Sequence, residues 1–135
     1  MGHAYADIEL SNPRHPEIRP LRVRALADTG ADVMCISEHV AVQLGLGTES
    51  EREVVIADGR RVKVPYVGPI RVTFEGRVCF VGALVLGDEV LLGAIAMEDM
   101  DLVVNPKLRA VTPNPDNPNL PCVRAKTLPA LATTA

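Results

Sequence analysis

Short turn signals recur so closely along this chain that few architectures can accommodate it. Asp58-Gly59, Glu75-Gly76, Gly87-Asp88-Glu89 and Asn105-Pro106 punctuate the sequence from Glu51 onward, and X-Gly pairs between apolar runs are hairpin signatures. The pieces between them have strand length: Glu51–Ala57 with Arg61–Val67, Ile70–Phe74 with Val78–Leu86, Val90–Leu92, and Asp101–Val104 with Leu108–Thr112. Upstream, Ala4–Leu10, Leu21–Ala27 and Val33–Ile36 read the same way, the second with Arg22 and Arg24 on one face and Leu21, Val23 and Ala25 on the other. Two stretches read as helices. Ser37 is placed to cap Glu38–Leu44, with Gly45 as its stop, and a brief helix spans Ala94–Asp99. An all-β single domain with one or two short helices is the expectation. Pro65 and Pro69 put the first hairpin at an edge or in a protruding ribbon, whereas the almost wholly apolar Val78–Leu86 belongs in the middle.

The core of such a domain has to be aliphatic. The 135 residues are 47% hydrophobic, yet Trp is absent and Phe and Tyr number two each. A net charge of −3 gives no electrostatic reason to expect nucleic acid or an anionic membrane as partner. No apolar run approaches the ~18 residues of a membrane helix, and Met1–Leu10 lacks the basic start and apolar centre of a signal peptide, so a cytoplasmic protein is expected. Cys35, Cys79 and Cys122 are an odd number without C-x-x-C spacing; buried thiols fit better than a disulfide framework or a zinc site. His3, His15 and His39 read as solvent-facing. A metallohydrolase built from His39 with Asp28 and Asp32 fails for want of ligands, so neither metal nor cofactor is expected. Beyond Pro113 the composition turns to Pro, Asn, Thr and Ala, which divides the chain into a folded domain over 1–112 and an extended or disordered tail over 113–135.

One turn carries chemistry. Ala25-Leu26-Ala27 ends on Asp28-Thr29-Gly30-Ala31-Asp32, so a strand delivers a carboxylate to a tight turn with apolar flanks. There the glycine permits close backbone approach, the Thr hydroxyl can be locked by a neighbour, and partial desolvation can tune a carboxylate for acid–base work. Hydrolysis of a peptide bond by carboxylates needs two of them together, one ionised to take a proton from water and one protonated to polarise the carbonyl. This chain has a single Asp-Thr-Gly and no Asp-Ser-Gly. A two-lobed monomer is therefore excluded, and a catalytic site requires Asp28 from each of two chains across a two-fold axis. Cys35, inside an apolar strand, is a poor candidate for a nucleophile.

With the hairpin around Asp58-Gly59 and the later triplet Leu91-Leu92-Gly93 leading into a short helix, the Asp28-Thr29-Gly30-Ala31-Asp32 turn resembles the retropepsin-like aspartic proteases. Leu91-Leu92-Gly93-Ala94-Ile95, Met97–Val104 and the trailing Pro113-Asn114-Pro115 look like the small bacterial members, and the resemblance covers residues 4 to 112. It implies a single-lobed closed β-barrel active as a homodimeric endopeptidase without a cofactor. It further implies catalytic roles for Asp28, Thr29 and Gly30, substrate contacts at Ala31 and Asp32, a flap over the peptide at Ala57, Asp58 and Gly59, and support of the site by Leu91, Leu92 and Gly93. Val33, Val54, Ile56, Val64 and Leu92 would then line the cleft and favour apolar residues beside the scissile bond. Retroviral members follow the downstream Gly with an Arg that steadies the second aspartate of the motif, where this chain has Ala94. Arg60 and Arg61 at the hairpin tip read as solvated charge. A non-catalytic dimeric peptide-binding module on the same fold is the alternative, and either Ala4–Leu10 or Leu108–Thr112 could serve as dimer strand.

Overall fold

A computed structural model describes residues 3–126. Alternation of apolar and polar side chains builds β1 (Ala4–Ser11) and β2 (Leu21–Ala27), an antiparallel pair in register Ile8↔Val23 and Leu10↔Leu21. Next come β3 (Met34–Ile36) and the helix α1 (Glu38–Gln43), where the Ser37 hydroxyl accepts from the Val40 amide as an N-cap. The chain continues through β4 (Thr48–Val55), β5 (Arg61–Phe74), β6 (Arg77–Val85), β7 (Leu91–Leu92), the helix α2 (Ala94–Asp99), β8 (Leu102–Asn105) and β9 (Ala110–Pro113). Nine strands form one sheet in the order β4-β5-β6-β3-β7-β2-β1-β9-β8, and β5 pairs back onto β1 through Leu10↔Val72. That extra pairing closes β5-β6-β3-β7-β2-β1 into a barrel of six strands. Closure gives each of these six strands a neighbour on both sides.

The barrel interior is aliphatic. Leu10, Ile36, Ile70, Val72, Leu92 and Met100 are fully buried, and Leu44, the C-cap of α1, joins them. Asn12 is buried with them and donates to the Leu44 carbonyl at 3.0 Å, tying the end of α1 to the loop after β1. Cys35 and Cys79 are buried, but Cys122 is exposed, because it belongs to the segment outside the barrel.

One feature of the strands differs from expectation for a physical reason. Arg61–Val67 and Ile70–Phe74 are one strand, since the register shift between Val67 and Ile70 falls where Pro69 would otherwise interrupt the ladder. Consequently β5 has partners on both sides, and β4 alone is the outer strand of the hairpin. The two segments proposed as dimer strands have neighbours within the chain: β1 lies between β2 and β9 and also pairs with β5, and β9 lies between β1 and β8. The outermost strands are β4 and β8. After β9 the backbone turns through Asn114–Asn117 and continues to Lys126, with the Asn114 amide donating to the Asp101 carbonyl at 2.9 Å. The remainder of the Pro-rich tail, 127–135, lies outside the described residues. Among the described residues no helix is long and apolar enough to cross a membrane.

Candidate active site

Asp28 stands where β2 leaves the barrel, and backbone hydrogen bonds from two other segments fix its position. Parallel pairing of β2 with β7, Leu26↔Leu91 and Ala27↔Leu92, continues as the Asp28 amide donates to the Leu92 carbonyl at 3.0 Å. The turn then folds onto its own aspartate: the Ala31 amide donates to the Asp28 carbonyl at 3.2 Å, and the Gly30 amide to Asp28 Oδ1 at 2.9 Å. From the opposite side, the Ala94 amide reaches the Ala31 carbonyl at 2.7 Å and the Ile95 amide the Asp32 carbonyl at 3.1 Å. Main chain from Leu92 to Ile95 thus brackets the turn from Asp28 to Asp32.

Gly93 makes this bracket possible. A Cβ at that position would stand 2.6 Å from the Asp32 carbonyl oxygen and 3.0 Å from that of Ala31, both immovable backbone. Its φ of −82° is ordinary, so the requirement is for space, not for a glycine-only conformation. Asp28 is half-buried, while Thr29, Gly30 and Asp32 are exposed around it. Behind it, Cys35 on β3 pairs with Leu91 of β7, and burial first, then the nearby Asp28 charge, pushes its thiol up from the usual range. A thiol held protonated in this way is a packing group.

The hairpin of β4 and β5 forms a separate unit. At its tip the Gly59 amide donates to the Ile56 carbonyl at 2.8 Å, and Asp58 accepts from both the Arg60 amide at 2.9 Å and Arg60 Nε at 2.7 Å. The Arg60 backbone foremost, then its guanidinium, holds the Asp58 carboxyl below the ordinary range. Arg61 reaches Glu53 at 3.6 Å, and Arg52 lies 4.0 Å over the Tyr66 ring. The tip arginines are therefore engaged within the hairpin, and Ala57, Asp58 and Gly59 are exposed. Bonds at the tip stay within the hairpin, whereas Asp28–Asp32 and Leu91–Gly93 form one continuous lattice.

Two of the residues expected to line the cleft do not: Leu92 is fully buried in the core and Val64 is buried as well. Leu92 belongs to the aliphatic core of the barrel, whereas Val64 lies on the hairpin part of β5, opposite Arg52 of β4, outside that core. A cavity of about 240 Å³ does adjoin the turn, lined by Val33, Met34, Tyr66, Phe80, Gly82 and Ile95. Val33 follows Asp32 directly and Ile95 follows Ala94, so its floor is continuous with the bracket. Tyr66, Phe80 and Ile95 did not stand out in the sequence. Gly82 was the available signal: an isolated glycine within an apolar strand often marks a close approach, and a Cβ there would fall 2.1 Å from the Tyr66 hydroxyl. Among the described residues no group of three His, Cys, Asp or Glu side chains could hold a metal ion, and His39 is exposed on α1.

A single-lobed closed barrel that presents a half-buried Asp-Thr-Gly turn, bracketed by an apolar-apolar-Gly segment, defines the class of retropepsin-like folds. Comparison with protein families agrees: residues 17–111 match the family described as "gag-polyprotein putative aspartyl protease", and the chain belongs to that family. A search of curated proteins found no match.

Proposed function

We propose that the chain is an aspartic endopeptidase whose active form is a homodimer, each protomer contributing Asp28. Membership of an aspartyl protease family points to peptide hydrolysis, and the observation that carries the finer reading is the bracketed turn. Asp28 is held by the main chain of Asp28–Asp32 and Leu92–Ile95, with the Gly30 amide on its carboxylate, an arrangement suited to keeping one carboxylate at a fixed place. One carboxylate cannot act as base toward water and as acid toward the substrate carbonyl at once. Two Asp28 side chains meeting across a two-fold axis share a proton and divide those roles: one takes the proton of the attacking water, the other donates to the carbonyl oxygen of the tetrahedral intermediate. Thr29 and Gly30 serve the catalytic turn, and Ala31 and Asp32 hold the main chain of an extended peptide. Ala57, Asp58 and Gly59 cover the peptide from above, and Leu91, Leu92 and Gly93 support the site. The apolar cavity against Val33 and Ile95 favours an aliphatic or aromatic substrate side chain. We place the protease domain at 1–112 and regard the protein as a cytoplasmic one of the bacterial type.

The test is cleavage of a peptide library by wild-type protein and Asp28→Asn at two protein concentrations. Cleavage that vanishes in the variant and rises faster than linearly with protein supports the dimeric dyad. A folded dimer of both proteins without cleavage by either would leave the peptide-binding module.

A further inference from the structure

Arg77 is buried at 5% exposure, with the Asp101 carboxylate 3.9 Å away, and a buried guanidinium is tolerated only when its donors are satisfied. Its hydrogen-bond partners are carbonyl oxygens. Nη1 donates to Met100 at 3.1 Å and to Asp101 at 3.0 Å, the carbonyls at the C-terminal end of α2, and Nη2 donates to the carbonyl of Asn117. A cation at that end complements the exposed carbonyls of the helix. Asp101, which ends α2 with a φ of +54°, turns its carboxylate toward the same downstream segment. It accepts from Asn114 Nδ2 at 3.0 Å, Asn117 Nδ2 at 2.7 Å and the Cys122 amide at 2.9 Å. All three donors lie beyond residue 111, where the family match ends. The opposite end of α2 supplies the Ala94 and Ile95 amides that bracket the Asp28 turn. Between those two ends stand six residues, about 9 Å of helix.

We infer that residues 114–122 are a strap, clasped by Arg77 and Asp101, that sets the position of α2 and through it the Asp28 turn, so that Arg77 and Asp101 are positioning residues for the site. A solvated tail would have no use for a buried arginine or for three donors converging on one carboxylate. A six-residue helix has too few internal bonds to hold itself in place, and the clasp anchors the end that the Gly93 bracket does not. The catalytic consequence rests on the reading of Asp28 given above, whereas the mechanical coupling does not.

The test uses the full chain with the paired substitutions Asn114→Ala and Asn117→Ala, together with Arg77→Met and Arg77→Lys. Two quantities are read at a temperature where circular dichroism shows each variant folded: hydrogen exchange at the Ala94 and Ile95 amides, and kcat separately from KM. With the strap unclasped, exchange at those two amides accelerates about tenfold or more. In the same variant kcat falls about tenfold while KM moves less than twofold, as expected when a reacting group is misplaced and the peptide-binding surface is intact. Arg77→Lys, which keeps the charge but not the fork, lies between wild type and Arg77→Met. Unchanged exchange at Ala94 and Ile95 in the folded Asn114/Asn117 variant overturns the inference. Should Arg77→Met fail to fold, the asparagine pair alone decides. Should wild-type protein cleave nothing, the proposed activity fails while the exchange data still decide for or against the strap.

Discussion

Replacing Gly93 by alanine is the sharpest test of the idea that close backbone approach, more than any side chain, holds the Asp28 turn. The added methyl would sit 2.6 Å from the Asp32 carbonyl oxygen, 2.9 Å from its carbon and 3.0 Å from the Ala31 oxygen. None of these atoms can rotate away, because the same carbonyls accept the Ile95 and Ala94 amides. To relieve the overlap the two segments must part by roughly half an ångström, which costs about 1–3 kcal/mol as overpacking and weakens two hydrogen bonds worth about 1 kcal/mol each. A destabilisation of about 2 kcal/mol moves the urea midpoint down by about 1 M for an m-value of about 2 kcal/mol/M. On the proposed function, the displacement falls on the residues that carry Asp28, so kcat should drop by about 10- to 100-fold as well. Gly47→Ala is the control, since its Cβ meets nothing within 4 Å; it should leave both readings near wild type. Urea denaturation followed by circular dichroism, and peptide cleavage at fixed protein concentration, give the two numbers. A Gly93→Ala protein with the Gly47→Ala midpoint and undiminished kcat would refute the reasoning.

Leu92→Ala should cost about 2–5 kcal/mol in the same denaturation assay, as expected for a fully buried leucine replaced without repacking, while retaining the carbonyl that accepts the Asp28 amide. Of the three thiols, only Cys122 is exposed: a thiol reagent at neutral pH should label it quickly, and Cys79, pushed up to about 12 by burial and then by the Asp99 charge, only on unfolding. Stability should fall in acid. The Cys122 amide first, then Asn114, Asn117 and Arg77, hold the Asp101 carboxyl below its ordinary value, so its contribution is complete above the unfolded pKa of about 4. That contribution is lost as pH drops through the lower folded value. Asp101→Asn should flatten the acid limb of a plot of melting temperature against pH, and an unchanged slope would count against the Asp101 contacts.

What could be read from the sequence was mostly local. β2 at Leu21–Ala27 follows from strict alternation, and α1 from a Ser cap whose hydroxyl does receive the Val40 amide. The Glu75-Gly76 hairpin is equally local, its two residues at φ of 47° and 81° as a tight two-residue turn demands. Reading failed where partners are far apart in the chain. Pro65 and Pro69 look like strand breakers until the register shift between Val67 and Ile70 is known, and that depends on what β6 offers opposite. Arg77 did not stand out beside the Glu75-Gly76 turn, because nothing nearby announces that carbonyls 23 to 40 positions later will surround it. Leu92 and Val64 were expected in the cleft because apolar residues near a candidate site invite that assignment. Packing that depends on distant strands decided otherwise: Leu92 is part of the barrel core, and Val64 is buried on the hairpin part of β5.

Ala94, where the resemblance to retroviral proteases implies an arginine, becomes intelligible once the bracket is considered. An arginine there would steady the second aspartate of the motif through its side chain, and Ala94 offers no such route. Its Asp32 is exposed and forms no salt bridge among the described residues. Main-chain bonds at 2.7 and 3.1 Å nonetheless fix the carbonyls on either side of it, so the turn keeps its place without an ion pair. The consequence is a shift in where the site is sensitive. An ion pair can be lost by one surface substitution or screened by salt, whereas a backbone bracket answers only to changes of shape at Gly93, Leu92 or the position of α2. On the proposed reading, Asp32 is then free to accept from the main chain of a bound peptide with no internal partner to give up. Raised ionic strength should accordingly leave the integrity of the Asp28 turn unchanged, measured as exchange at the Ala31, Ala94 and Ile95 amides.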